Sequence, residues 1–491
     1  MTKSEQNKIG RWGATSYFIG SVVGSGIFIT PTTILNRTGS VGLSLLIWLL
    51  SAAATTLGAF CYIELGTSIR RSGGDFAYLS YVKWRPLAFM FMVTGCVLTY
   101  PLFAAIQAVT FAEYIVQGLG LDALIGADHP QSSTAAFALR KLIAFSSVWL
   151  MIFLNFFSLR AVVAPFQLVT SVAKFLSALL IVGIGIYWFT FKGYTANLHQ
   201  PFANSSMDVG NLTNAFFAGL FNYDGWDVLN YGIEEVSNPA STMPFAIFTG
   251  MTCSTLIYAT INFAFFAVLS VSDIQKSTAV AMTFAEQTMG GFSRLMPFII
   301  SLVLLNALNA SIFTGSRYLY AVARERQIPS FIACINRTHD SPRAALIIYA
   351  IFTFIGLFLG NIDELVGYLG FAIWLQRGCA MCCLLYIRFK HLPVHPEAIR
   401  VPIVLPFLFL AICFSLSMVT IIKDFSTAYI GLTIMAIALI IYAIFIWEKT
   451  LNRISFYREI SSYLNEFSVR IVQILTDGLT EIVPEKMDYA D

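Results

Sequence analysis

Charge is what this 491-residue sequence has least of: 12% of its residues are Asp, Glu, Lys or Arg, about half the share of an ordinary soluble domain. Histidine is scarcer still. His129, His199, His339, His391 and His395 all lie outside the apolar runs, so neither haem nor a metal centre inside a bilayer has an imidazole to use. The dipeptide Gly-Lys is absent, which removes a Walker A loop and with it a built-in ATP motor. A net charge of +3, with the basic residues beside apolar runs instead of on one helical face, gives nucleic-acid binding no support. No cofactor and no metal is expected. The eight cysteines fall in apolar runs or inner loops and form no disulfide framework. Cys379, Cys382 and Cys383 share one apolar run, where Cys serves as a small apolar packer more often than as a metal ligand.

Hydrophobicity is what the sequence has in abundance: 57% of residues are hydrophobic and 15% aromatic, in runs of about 20 residues, the length that crosses about 30 Å of hydrocarbon. The runs predict an all-α polytopic membrane protein with twelve spans, near 13–36, 41–66, 86–117, 138–158, 164–190, 211–233, 243–270, 292–324, 342–360, 364–388, 402–422 and 427–447. The first run is too long for a cleaved signal peptide and reads as a retained span. On this topology 20 Lys and Arg lie on the side of the termini and 7 on the other, which puts both ends in the cytosol; the plasma membrane is the expected location. Residues 1–12 form a cytosolic tail, 13–447 the membrane domain and 448–491 a second tail, amphipathic over 450–475 and suited to the inner leaflet of the bilayer. Asn204-Ser-Ser, on the outer side, is a candidate glycosylation site.

Two spans break the rule that a membrane helix runs uninterrupted. Span 1 carries Gly24-Ser-Gly26 at mid-depth and Pro31 after it; span 6 carries Phe221-Asn-Tyr-Asp-Gly-Trp226, an acid and a Gly together. Breaks at positions one and six fit inverted repeats over 13–190 and 211–388 followed by two additional helices over 402–447, and they point to a midplane substrate site of a secondary transporter. Close packing of small residues is the bland alternative. A half-helix starting after Gly26 presents N–H groups that suit a carboxylate. The carbonyls released near Tyr223 suit an ammonium, and an α-amino acid satisfies both ends at once. Phe221, abutting the break, is the candidate gate.

Charges at depth complete the residue-level reading. Lys174 lies about ten residues into span 5, where an ammonium costs roughly 2.5–3.5 kcal/mol at midplane. It reads as a replacement for a bound Na⁺ between spans 1 and 8, with snorkelling to an interface as the alternative. Asp224 either faces the substrate's side chain, attracting a cation, or stays protonated, or pairs with Arg377 or Arg317. Asp227, Glu234 and Glu235 follow in the second half of span 6 as inner-gate residues or as a solvated helix end.

Five stretches together carry a family resemblance: Gly24-Ser-Gly-Ile-Phe28; Glu64-Leu-Gly-Thr with Ser72-Gly-Gly-Asp-Phe-Ala-Tyr78; Thr110-Phe-Ala-Glu-Tyr114; Gly225-Trp-Asp-Val-Leu-Asn230; and Glu234-Glu-Val-Ser-Asn-Pro239. From about Ile9 to Trp447 the chain resembles the L-type amino-acid transporters, the light subunits of heteromeric amino-acid transporters in the amino acid–polyamine–organocation superfamily. The resemblance implies a five-plus-five inverted repeat and exchange of amino acids without Na⁺. The substrate carboxylate would meet N–H groups across Gly24, Ser25, Gly26 and Ile27, and its ammonium the carbonyls near Val22 and Phe221. Phe221 would be the outer lid, Trp226 a gating residue and Gly225 a substrate-binding one; Lys174 would stand in for sodium, and Ser311, Asp227 and Trp374 would border the pocket or its gates. An acid at 224 resembles the members that accept cationic amino acids and cystine; an internal pair with Arg377 would leave neutral or aromatic substrates instead. Members that pair with a single-span glycoprotein carry a Cys between spans 3 and 4. Here residues 118–140 have none, so a disulfide-linked heavy subunit is not expected. The expected function is a sodium-independent L-amino-acid exchanger. Its rivals are a proton-coupled amino-acid or polyamine symporter using Asp224 or Glu64, and a transport-inactive receptor that senses amino acids.

Overall fold

The computed structural model describes residues 10–24, 26–71, 73–121, 134–157, 164–193, 199–231, 233, 236–324, 327–338, 341–447 and 450–480. Helix α1 (Arg11–Val22) stops short, and after a tight turn at Gly26–Phe28 the chain resumes as α2 (Pro31–Thr38), bent from it by 62°. Pro31 opens α2, where its missing N–H needs no acceptor, and Gly39 closes it at a φ of 72° that favours glycine. Helix α3 (Val41–Ile69) starts on Ser40, whose hydroxyl accepts the Leu43 N–H. There follow α4 (Gly74–Tyr81), α5 (Arg85–Thr94) and α6 (Tyr100–Gly118), the last two joined through a wide turn at Gly95–Thr99, then α7 (Thr134–Asn155) and α8 (Ala164–Phe191).

The second broken span is α9 (Val209–Asn222), capped by Asp208 accepting from the Asn211 N–H at 2.8 Å, then a turn over 223–227 and the single turn α10 (Val228–Tyr231). Helix α11 (Pro239–Val268) leads through two short helices, α12 (Val271–Lys276) and α13 (Val280–Thr288), into α14 (Met296–Arg324), α15 (Arg343–Leu357), α16 (Ile362–Phe389), α17 (Val404–Lys423), α18 (Phe425–Ile441) and α19 (Ser455–Thr476). Between α17 and α18, Asp424 is driven up by partial burial but held below the usual carboxylate range by hydrogen bonds from Ser426, Thr427 and Asn214. Helix α19 lies where the tail is amphipathic, with Phe456, Tyr463, Leu464 and Ile474 exposed. Unforeseen in the sequence is an antiparallel pair, β1 (Cys334–Asn336) with β2 (Gly478–Thr480).

Among the described residues nine helices are long and apolar enough to cross a membrane, and the bent α1–α2 pair brings the number to ten. The expected spans 6 and 9 correspond to the broken α9–α10 and to α15, which at 15 residues is short for a crossing. Large apolar side chains such as Leu176, Leu179, Ile422 and Ile440 are exposed along these helices, as befits a hydrocarbon surround.

The chain forms two compact units, each drawing on both expected repeats: Met1–Ala88, Phe175–Ile300 and Val366–Gly431 make the first; Phe89–Lys174, Ser301–Leu365 and Leu432–Asp491 the second. The first unit is knit by aromatic edges. Trp48, Tyr223 and Tyr258 pack mutually with ring centres 5.1–6.3 Å apart, and Trp226 meets Tyr62 at 4.8 Å. Its buried Glu64 takes the Arg388 Nε–H at 2.7 Å and the Val401 N–H at 2.9 Å. Removing one member of such a pair strands the other charge, at about 3–5 kcal/mol. Glu64→Gln is therefore expected to lower the thermal unfolding midpoint in detergent markedly, and an unchanged midpoint would count against the pair. The second unit pairs its polar groups at depth: Asn155 Nδ2 with Asn309 Oδ1 at 2.7 Å, Asn306 Nδ2 with Thr170 Oγ1 at 2.6 Å, and the Tyr349 hydroxyl with the Tyr100 carbonyl at 2.7 Å, since apolar surroundings offer them no water.

Candidate functional site

Both breaks belong to the first unit, and one side chain serves them both. A helix end leaves carbonyls without an intrahelical donor; here these include Val22 at the end of α1 and Asn222 at the end of α9. The Tyr258 hydroxyl, from mid-α11, lies 2.7 Å from the Val22 oxygen and 2.9 Å from the Asn222 oxygen, and it accepts the Gly24 N–H at 3.1 Å. Donor and acceptor peptide groups of both unwound segments thus gather around one buried oxygen.

Asn222 ties the breaks together a second time. Its Nδ2 donates to Thr30 Oγ1 and to the Ala218 carbonyl, each at 2.6 Å, while its Oδ1, buried, has no hydrogen-bond partner among the described residues. That oxygen faces Gly26: a Cβ on Gly26 would overlap it and would stand 3.1 Å from the Asn222 Cγ and 3.3 Å from the Cα. Gly225 adopts a φ of 90°, which an L side chain resists, and a Cβ there would meet the Ser21 carbonyl oxygen at 3.1 Å.

Asp224 does not stand alone. Its Oδ1 is 2.5 Å from a guanidinium nitrogen of Arg377, which also lies 3.7 Å from Asp227 Oδ2. The open choice between two arginines falls to Arg377; Arg317, in the second unit, stacks its guanidinium on Phe313, 3.4 Å from the ring centre.

Of the other residues singled out in the sequence, Val22, Gly26, Ile27, Trp226 and Trp374 are buried in the first unit and Phe221 is half-buried in the last turn of α9. Trp226 is fully enclosed, and Trp374 packs on Phe409 at 5.5 Å. Lys174 and Ser311 belong to the second unit; Lys174 is 7% exposed, and Ser311 donates to Gln107 Oε1 at 3.0 Å. Ser25, Glu234 and Glu235 lie outside the described residues. Among the described residues no three His, Cys, Asp or Glu converge to hold a metal ion. Sequence reasoning missed Tyr258, Asn222 and Thr30; the one available signal was a phenol and an amide four residues apart, Tyr258 and Asn262, inside an apolar run.

The family model described as amino acid permease matches residues 9–447. Amino acid transporter protein 6 of Caenorhabditis elegans is 45% identical over 484 residues, 99% of this chain and 90% of that protein. The human cystine/glutamate transporter is 32% identical over 472 residues, 96% and 89% of the two chains. The mouse b(0,+)-type amino acid transporter 1 is 31% identical over 449 residues, 91% and 90% of the two.

Proposed function

Because this chain belongs to the amino acid permease family, we propose that it exchanges L-amino acids across the plasma membrane without sodium, by alternating access around the two broken spans. It is a multi-pass membrane transporter of amino acids and not an enzyme. The observation that carries the finer reading is the meeting of both breaks at Tyr258, where the Val22 and Asn222 carbonyls and the Gly24 N–H converge on one hydroxyl, so that helix-end donors and acceptors suited to the two ends of a zwitterion lie side by side.

In this reading the N–H groups of Gly24, Ser25, Gly26 and Ile27 hold the substrate carboxylate, and the carbonyls of Val22 and Phe221 hold its ammonium. Phe221 is the outer lid, Gly225 contributes to the substrate site, Trp226 and Asp227 act as gating residues, and Trp374 and Ser311 border the pocket or its gates. Lys174 supplies the fixed positive charge that a bound Na⁺ would otherwise bring. In this reading twelve spans in a five-plus-five repeat with two added helices leave both termini on one side, which the excess of Lys and Arg makes the cytosol, and the chain works without a disulfide-linked heavy subunit. The two acids that a proton-coupled rival would use are already engaged, Glu64 by Arg388 and Asp224 by Arg377.

Counterflow in liposomes tests this. Vesicles preloaded with unlabelled amino acid are expected to accumulate labelled amino acid equally with Na⁺ or choline outside. Uptake into empty vesicles driven by a pH step would favour the symporter, and binding without flux the receptor. Lys174→Ala is expected to slow exchange by about tenfold, the scale of one lost charged contact, and to do so equally with and without Na⁺. A wild-type rate would return Lys174 to a snorkelling role.

A further inference from the structure

Arg377 is 3% exposed and is fully furnished by its own unit. Asp224 Oδ1 stands 2.5 Å and Asp227 Oδ2 3.7 Å from its guanidinium, and the indole rings of Trp226 and Trp374 lie 4.6 and 5.2 Å from the guanidinium carbon. A carboxylate together with aromatic faces is the set of groups that recognises a free arginine side chain. Here a residue of the chain itself fills that set, directly at the break of span 6. We propose that Arg377 is a specificity-determining residue: a tethered guanidinium that occupies the cation subsite at Asp224 and restricts the carrier to amino acids with uncharged side chains. The proposal rests on the transport reading above and names its substrate class.

The charges support this against both alternatives. A substrate carrying a lysine or arginine side chain would have to displace Arg377 from Asp224, leaving a buried guanidinium without its counter-charge and a second cation beside it. The next acid of the cluster offers no refuge, because Asp75 already accepts from Tyr62 at 2.6 Å and from Gln376 at 2.9 Å. An acidic side chain would bring a further carboxylate beside Asp224 and Asp227, whose partner Arg377 is already engaged. An uncharged side chain disturbs neither pairing.

A purely structural staple and a filter make different predictions. If Arg377 only braces span 10 against span 6, its loss lowers transport of every amino acid in proportion. If it filters, its loss changes the ratio. Counterflow of L-leucine and L-arginine in liposomes, on the full chain, measures that ratio. In the wild type, excess external arginine is expected to leave labelled leucine uptake in place. Arg377→Met is expected to raise the arginine-to-leucine ratio about tenfold or more, the scale of discrimination by one placed polar group. Arg377→Lys should hold the ratio low, and Arg377→Met combined with Asp224→Asn should bring it back down. Wild-type protein that carries arginine as readily as leucine overturns the filter and leaves the transport reading standing. So does an Arg377→Met protein whose ratio is unchanged. If Arg377→Met fails to reach the membrane, the wild-type competition decides alone. A wild type that carries neither amino acid overturns the transport reading and this inference with it.

Discussion

Gly26→Val is expected to abolish amino-acid uptake while the protein still reaches the cell surface. The added β-carbon has nowhere to go: the Asn222 amide oxygen, its Cγ at 3.1 Å and its backbone Cα at 3.3 Å close the space. Two γ-methyls on that carbon then push the first and sixth spans apart where, in the proposed site, their peptide groups meet the substrate. Interiors are packed too densely to absorb such a shift without moving backbone, and overpacking costs about 1–3 kcal/mol. That is a small part of the stability of a chain this size but a large part of a binding energy. Uptake of labelled amino acid, normalised to surface-biotinylated protein, is the measurement. Normal uptake by the valine variant would remove the break of span 1 from the site.

Tyr258→Phe should reduce exchange by about ten- to a hundredfold, because each buried polar group left unsatisfied costs about 1–3 kcal/mol. The variant deletes a single oxygen. The ring keeps its edges against Trp48 and Tyr223, so the aromatic core stays filled and surface expression is expected to persist. What goes is the common partner of the Val22 carbonyl, the Asn222 carbonyl and the Gly24 N–H. Without it only the Asn222–Thr30 hydrogen bond still ties the two unwound segments together. Initial rates of exchange at saturating and at low substrate would both fall; a variant with wild-type rates would show that the breaks hold their geometry unaided.

The parts of this molecule that could be read in advance are those written in short-range patterns. Runs of about 20 apolar residues mark the spans because hydrocarbon leaves backbone groups no other partner. Gly24-Ser-Gly26 before Pro31, and Asp224-Gly225 at depth, marked the two breaks for the same reason, and α1 and α9 end within a few residues of those motifs. Tyr258 was hidden because it is one of 21 tyrosines, and its role depends on a contact 236 positions back along the chain. The choice of Arg377 over Arg317 likewise turned on a contact spanning 153 positions. No periodicity announces β1 and β2, which at three residues each are too short to show an alternation. The turn at Gly95–Thr99 keeps the apolar character of its helix and so left no trace in composition.

The small ladder at the end of the chain has a bearing on biosynthesis. Cys334 and Thr480, 146 positions apart, sit opposite one another in it, so a nascent polypeptide emerging from the ribosome carries its first strand unmated while the four helices α15 to α18 are translated. Only when β2 has been made can the pair form, and until then β1 keeps an open edge of unpaired backbone groups.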